Sequence, residues 1–519
     1  MINQIDLVSS SPEIDANDFR TILQPVKYGE GRVLGRCLGT QGMRYLYAQV
    51  QNRLIEQGYI TSQISVEPQD LTQGRLVLTL HAGRLSQIYR SPSSSSRVQP
   101  HNAVPIKQGQ VINLRDIEQG LENFRRLSSV EVKIDLAPAH VAGFGNTKRN
   151  KTALRTTADT PTEQQMQGYS DLVIDWQQGR PIHLSLGIDD TGSDSTGKYQ
   201  GSVGFTLDNP LQINDTLQLN YTASLDGLNS ANGQNDSLYA QYSVPYGDWR
   251  FGTSFNRYDY QQTIAGLNQP IIYAGESYQQ AFSADRLLSR GQQHKSQLNL
   301  KLNRRQSKNF IDEFEVEVQR RRTAYWEAGI NHLHYLGRAS SLNSELSYRK
   351  GIGAFSALDA PESLFNEGRS RPAVWLADLQ LNHPFALLNQ VFRYQLNWRG
   401  QYSPTILIPQ DRFSIGGRFS VRGFSGDQAL AADQGYTLQQ ELNWNTPLPN
   451  SSLYLGVDHG WIGGESALFN RGTQLTGGVL GLRTYYRQLS LDAFVGRGLD
   501  APEGLSKQTV AGFNLNLNF

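Results

Sequence analysis

Residues 391–401 read VFRYQLNWRGQ. Phe392, Tyr394, Leu396 and Trp398 fall on one side of an extended chain, and Arg393, Gln395, Asn397, Arg399 and Gln401 on the other. A period of two is the mark of a strand with one apolar and one polar face. Residues 298–303 (LNLKLN) and 216–223 (TLQLNYTA) do the same. From about residue 181 to residue 519 no helical period survives, and alternating strands of roughly ten residues follow one another. A soluble sandwich also alternates, but its polar face looks to bulk water and its chain rarely runs so far. With Tyr, Trp and Phe near strand ends, this run predicts a closed transmembrane antiparallel β-barrel of about sixteen strands. The chain stops on AGFNLNLNF (511–519), with Phe513, Leu515, Leu517 and Phe519 out and Asn514, Asn516 and Asn518 in. A terminal strand of this kind fits closure of the barrel by its last strand.

Composition agrees and excludes alternatives. The 519 residues carry 48 Lys+Arg against 47 Asp+Glu, so no basic surplus points to nucleic acid. One Cys and three Met exclude a disulfide framework and a Cys-based metal site. No run of 18 apolar residues is present, which excludes a transmembrane helix but not a barrel, whose apolar residues sit at every second position. Met1 is followed by Ile2-Asn3-Gln4-Ile5-Asp6-Leu7, without the features of a signal peptide. An export signal is therefore expected upstream of this start; the alternative is a cytoplasmic protein beginning at Met1.

Ahead of the barrel the pattern changes. Leu46, Val50 and Leu54 repeat at helical spacing within 43–57, and Gly58 stops that helix. Ile60–Val66 and Arg75–His81 follow as a hairpin around the turn-rich 68–74. The order recurs: a short strand Leu85–Tyr89, a helix over 113–127 with Asn113 as N-cap, then Val130–Leu136 and Asp171–Trp176. We expect one small α/β module at 1–86, a second at 87–180, and the barrel at 181–519. The polar, aperiodic stretch 140–167 reads as a mobile loop inside the second hairpin.

Two motifs carry a family resemblance: GGRFSVRGFSGD at 416–427 and Gly456-Val457-Asp458-His459-Gly460. Together they resemble the TpsB outer-membrane transporters of two-partner secretion (the ShlB, FhaC, HecB group, with CdiB among the possibilities), relatives of BamA. GRCLG at 35–39, QGYIT at 57–61, NLRDIEQGLENFRRL at 113–127, DDTGSDSTGKYQG at 189–201 and DNPL at 208–211 extend the resemblance over nearly the whole chain. It implies two POTRA domains before a sixteen-stranded barrel, and a VRGF loop folded back into the lumen. It also implies that Arg422 of that loop pairs with Asp458 of the barrel wall, Gly423 and Phe424 completing the motif. Gly416, Gly417, Gly456 and Gly460 are the supporting glycines. Alternation alone puts Leu453, Leu455 and Val457 toward lipid and Tyr454, Gly456 and Asp458 toward the lumen. A planar guanidinium can bind a carboxylate at two points; a solvated Asp and an exposed loop Arg are the plain alternative. The family usually carries an N-terminal plug helix and then a linker, and this chain begins too late for both; Cys37 commonly has a partner Cys upstream in the family, none is present here, and a buried free thiol is the plain alternative.

The resemblance implies an outer-membrane pore of a Gram-negative bacterium, its POTRA domains in the periplasm. It implies a secreted TpsA-type exoprotein as partner, bound through those domains and the lumen: an adhesin, a haemolysin or a contact-dependent inhibition toxin. Outer-membrane lipid and lipopolysaccharide surround the barrel, and a monomer is expected, with no nucleic acid. A BamA-like assembly factor is the alternative, but it would carry five POTRA modules rather than two. No catalytic constellation, nucleotide loop or cofactor motif is found, so no enzyme, cofactor or metal is expected. His332 and His334 share a strand face without a third ligand near in sequence, and read as barrel histidines at an interface.

Overall fold

The computed structural model describes residues 1–29, 32–139, 168–226, 233–265, 270–337 and 339–519. The expected loop at 140–167 lies outside them. The chain divides into two compact units, one made essentially of residues 1–179 and one of the remainder.

The first unit holds two modules of the same plan. In the first, β1 (Gln4–Ser9) leads through α1 (Gln24–Tyr28) and α2 (Thr40–Glu56) to the hairpin β2 (Gln63–Ser65) and β3 (Arg75–His81). The sheet order is β1-β3-β2, with β1 parallel to β3. Leu46, Val50 and Leu54 of α2 are fully buried against Leu76, Leu78 and Leu80 of β3, which is why a period near four and a period of two sit side by side in the sequence. Gly58, at φ +97°, ends the helix in a backbone region open to glycine. The expected strand 60–66 contracts to three residues, because the Tyr59 N–H bonds back to Leu54 O and the Ser62 N–H to Tyr59 O.

The second module runs β4 (Arg84–Arg90), α3 (Pro100–Ala103), α4 (Leu114–Arg125), β5 (Val130–Pro138) and β6 (Tyr169–Gln178), in the sheet order β4-β6-β5. Asn113 caps α4 by accepting from the Arg115 N–H at 2.9 Å. Ile117 and Phe124 pack on Leu172, Ile174 and Trp176. A boundary after residue 86 falls inside β4, so the second sheet begins at Arg84. The Arg84 guanidinium bonds to Glu13, and to Ser11 Oγ at 2.6 Å, tying the modules together. The Glu13 carboxylate holds that guanidinium even further above its usual range. Cys37 is free and exposed, not buried.

The second unit is a closed antiparallel barrel. Its strands are β7 (Ile182–Asp189), β8 (Gln200–Asp208), β9 (Thr216–Ser224), β10 (Gly233–Tyr246), β11 (Trp249–Ala265), β12 (Pro270–Arg290) and β13 (His294–Ile311). A two-residue β14 (Phe314–Glu315) folds back on β13. There follow β15 (Arg321–Leu336), β16 (Ser340–Ile352), β17 (Ala373–Leu387) and β18 (Gln390–Tyr402). The short hairpin β19 (Phe413–Ile415) and β20 (Leu430–Ala432) lies in the connection from β18 to β21. The wall is completed by β21 (Gln434–Asn445), β22 (Ser451–Gly463), β23 (Gln474–Tyr486), β24 (Leu489–Asp500) and β25 (Thr509–Asn518). Leaving out β14, β19 and β20, sixteen strands form the wall. The ring closes by β25 on β7, over Asn514↔Asp189 to Asn518↔Ser185.

Leu453, Leu455 and Val457 are exposed to the lipid side, while Tyr454 and Asp458 are buried toward the lumen. Among the described residues no helix is long and apolar enough to cross a membrane; this barrel crosses with strands. Turns at 247–248, 291–293, 388–389 and 487–488 mark one end, and the long connections 353–372 and 403–433 the other. Short turns belong to the periplasmic side and long loops to the outside.

Candidate functional site

The connection between β18 and β21 folds over the inner face of β21–β24. Its tip is Val421-Arg422-Gly423-Phe424. The Arg422 Nε donates to Asp458 Oδ2 at 2.7 Å and Nη2 to Oδ1 at 2.8 Å, while the Arg422 backbone N–H donates to Oδ2 at 2.9 Å. Nη1 donates to Glu441 Oε2 at 2.7 Å. Asp458 is wholly buried and the Arg422 side chain 11 % exposed. A buried carboxylate is costly unless its lone pairs are filled, and three donors from one residue fill them here.

The network goes further than the expected pair. Glu441 also accepts from Arg483, whose Nε donates to Asp492 Oδ2 at 2.9 Å and whose guanidinium lies 4.0 Å over the Tyr454 ring. Tyr454 Oη donates to Asp492 Oδ1 at 2.9 Å. A second anchor lies nearby: Arg418 Nη1 donates to Asp190 Oδ1 at 2.8 Å and to the Phe513 carbonyl at 3.1 Å, joining the loop to the β7–β25 seam.

Packing reinforces the charges. Val421, Phe424, Ile415 and Leu430 of the loop form a small core with Ile462 and Leu475. The wall beneath is glycine. A Cβ at Gly456 would lie 2.8 Å from Arg422 Nη2, one at Gly460 2.7 Å from Val421, and one at Gly498 2.8 Å from Phe424. A Cβ at Gly477 would collide with the Arg422 carbonyl oxygen, and one at Gly496 would lie 3.2 Å from Gly423. Gly423 itself has φ +104°, and its Cβ would sit 2.5 Å from the Arg497 carbonyl oxygen, so both conformation and space demand glycine there. Within the loop Gly417 stacks on Gly426, and Gly416 turns the chain at φ +104°.

All eight residues expected from sequence therefore fall in one place. Glu441, Arg483, Asp492, Arg418, Asp190, Gly477, Gly496 and Gly498 were missed. Glu441 had a readable signal, an acidic residue at a lumenal position of a strand neighbouring Asp458. His459 turns outward, with its Nδ1 3.0 Å from Thr476 Oγ1. His332 stacks between His334 and His294, with ring centroids 5.9 and 6.0 Å away. Among the described residues no group of His, Cys, Asp and Glu is arranged to hold a metal.

Between the Arg422–Asp458 contact and the periplasmic turns, a cavity of about 930 Å³ is lined by Arg393, Arg422, Glu441, Arg483 and the β21–β22 turn. A second cavity, of about 480 Å³, is lined by Arg399, Arg412 and Thr437. Arg418 and Phe419 border both, so the loop is a partition across the lumen.

The family model described as haemolysin secretion/activation protein ShlB/FhaC/HecB matches residues 168–484, a ShlB-type POTRA model 2–83 and a second POTRA model 86–138. The outer membrane transporter CdiB-2 of Burkholderia pseudomallei is 30% identical over 93% of this chain and 79% of its own length. The hemolysin transporter protein HpmB of Proteus mirabilis is 25% identical over 89% and 77%. The solved structure of CdiB from Acinetobacter baumannii superposes with a TM-score of 0.84 at 37% identity, covering 100% of this chain and 90% of that one.

Proposed function

The chain belongs to the ShlB/FhaC/HecB family of haemolysin secretion/activation proteins, and on that premise we propose that it exports one TpsA-type exoprotein through its own lumen. It is an outer-membrane transporter of the two-partner secretion type, with its POTRA domains in the periplasm. The exoprotein is an adhesin, a haemolysin or a contact-dependent inhibition toxin. It arrives unfolded and is caught in extended form along a sheet edge of the POTRA modules, where backbone hydrogen bonds give affinity without a fixed sequence. The nine-residue β5 borders its sheet on one side and offers such an edge. The chain acts as a monomer and has no catalytic role.

The observation that carries the reading is the partition. Arg422 holds a Gly-rich loop across the lumen, and the side facing the periplasmic turns is a wide polar cavity. Export requires the loop to leave, and the guanidinium–carboxylate contact is the latch. No nucleotide is needed, because folding of the cargo outside removes it from the lumen and draws the equilibrium outward. The test is export of the neighbouring gene's large exoprotein from cells carrying or lacking this chain. Export that persists without it, or that proceeds at the wild-type level with the loop cross-linked to the wall, would refute the proposal.

A further inference from the structure

The lipid-facing wall of β11–β13 and β15 is not smooth. Phe251, Phe282, Ala284, Leu300, Leu302 and Trp326 enclose an open apolar groove of about 430 Å³. The register explains it: small Ala284 lies between Phe251 and Leu300, with Phe282 and Trp326 flanking Leu302. Phe282 is 61% exposed and Trp326 39%. The groove therefore opens to the hydrocarbon phase, where an acyl chain can fill it.

Cations crown this groove. Arg304 is the next outward residue on β13 beyond Leu302, and Lys350 is the cross-strand neighbour of Trp326 on β16. Among the described residues neither has an ion-pair partner. Arg349 and Arg305, one position away, point to the lumen instead, where Arg349 meets Glu327 at 2.7 Å. Arg304 stands ten residues along β13 from His294 at the periplasmic turn, and about 9–11 tilted residues cross the hydrocarbon. Its guanidinium thus lies at the headgroup level of the outer leaflet. Trp326, Tyr348 and Trp375, with centroids 5.6 and 4.8 Å apart, mark the same level as an aromatic girdle.

We propose that this surface is a docking site for the lipid A part of lipopolysaccharide, an acyl chain in the groove and a phosphate on Arg304 and Lys350. The inference rests on the outer-membrane location of the barrel and gives its lipid contact a place and a chemistry. Charge complementarity selects the occupant: two unpaired cations over an apolar slot suit a phosphorylated, multiply acylated glycolipid. Zwitterionic phospholipid would leave its ammonium group against them.

Native mass spectrometry of the delipidated full-length chain tests this, with hexa-acylated bisphosphoryl lipid A, dephosphorylated lipid A, phosphatidylglycerol and inorganic pyrophosphate as probes. Bisphosphoryl lipid A should bind at least about tenfold more tightly than the other three, because two charge-assisted contacts are added to the acyl contact. Arg304→Ala/Lys350→Ala should remove that preference while heat-modifiable gel mobility persists. Ala284→Phe, which fills the groove from the lipid side, should weaken lipid A several-fold with both cations in place. Arg286→Ala, at the periplasmic end, should leave the preference intact. Equal binding of phosphatidylglycerol and lipid A by the wild type, or an unchanged preference in the double variant, would overturn the proposal. Secretion is not the readout, so such a result would leave the transport reading standing.

Discussion

Asp458 is fully buried and takes three hydrogen bonds from one residue, while Arg422 spends its fork on two carboxylates. The two partners are therefore not equivalent. Loss of Asp458 leaves Arg422 with Glu441, and loss of Arg422 leaves Asp458 with no ion-pair partner among the described residues. An exposed pair is worth roughly 0–1 kcal/mol. Removing one member of a buried pair can cost roughly 3–5 kcal/mol, and water in the adjoining cavity favours the lower end. A loop without its latch has no single docked position to leave and return to, so we predict that Arg422→Ala impairs secretion more than Asp458→Ala, and that the double variant is no worse than Arg422→Ala. Exoprotein in the medium, scored against heat-modifiable mobility of the barrel, checks this. Strictly additive losses would show that the two residues do not act as a unit. Arg422→Lys should not rescue, because one ammonium cannot reproduce the planar two-carboxylate geometry; full secretion by that variant would contradict the latch.

At the scale of elements, the loop and the strand glycines fit as one surface. Gly477 and Gly478 are adjacent on β23 but face opposite ways. A Cβ at Gly477 would strike the Arg422 carbonyl, whereas one at Gly478 would meet only Leu499 at an ordinary 3.4 Å. Gly477→Ala should therefore lift the loop and Gly478→Ala should not. With Phe419→Cys as a reporter in a Cys37→Ser background, external maleimide labelling should rise in the first variant alone. Equal labelling of both would show that the glycine wall does not seat the loop. The second POTRA module offers an independent check on packing. Trp176 is completely buried beside Phe124, so Trp176→Ala should cost about 3–5 kcal/mol. Limited proteolysis should then cut within 84–179 and spare the barrel; a protease-resistant module would contradict that core assignment.

For the whole molecule, the proposed function assigns recognition to the first unit and passage to the second. The modules contribute sheet edges, and the barrel contributes the Arg422–Asp458 contact. Deleting either module should abolish secretion while the barrel still inserts, because its strand ladder closes on itself through β25 and β7. Surface extraction and heat-modifiability report insertion, and the exoprotein in the medium reports transport. Normal secretion from a barrel lacking both modules would show that the lumen alone selects the cargo.

Much of this was legible in the residues themselves. Period two in VFRYQLNWRGQ and in the terminal AGFNLNLNF specifies a strand with two unlike faces, and about sixteen such strands specify a closed wall. Leu46, Val50 and Leu54 specify a helix lying on a sheet. These are local properties, set by backbone geometry over a few neighbours. Alternation also placed Asp458 on the lumenal face, and the motif resemblance paired it with Arg422. Glu441, Arg483 and Asp492 stand on three different strands, and Gly477, Gly496 and Gly498 on two. Their meeting depends on strand register and on the path of a 31-residue connection, 403–433, that has no period. A register shift of one residue would turn Glu441 to lipid and Gly477 away from Arg422. The sequence by itself determined which residues face inward; only the closed barrel, by fixing register around the ring, decided which of them touch.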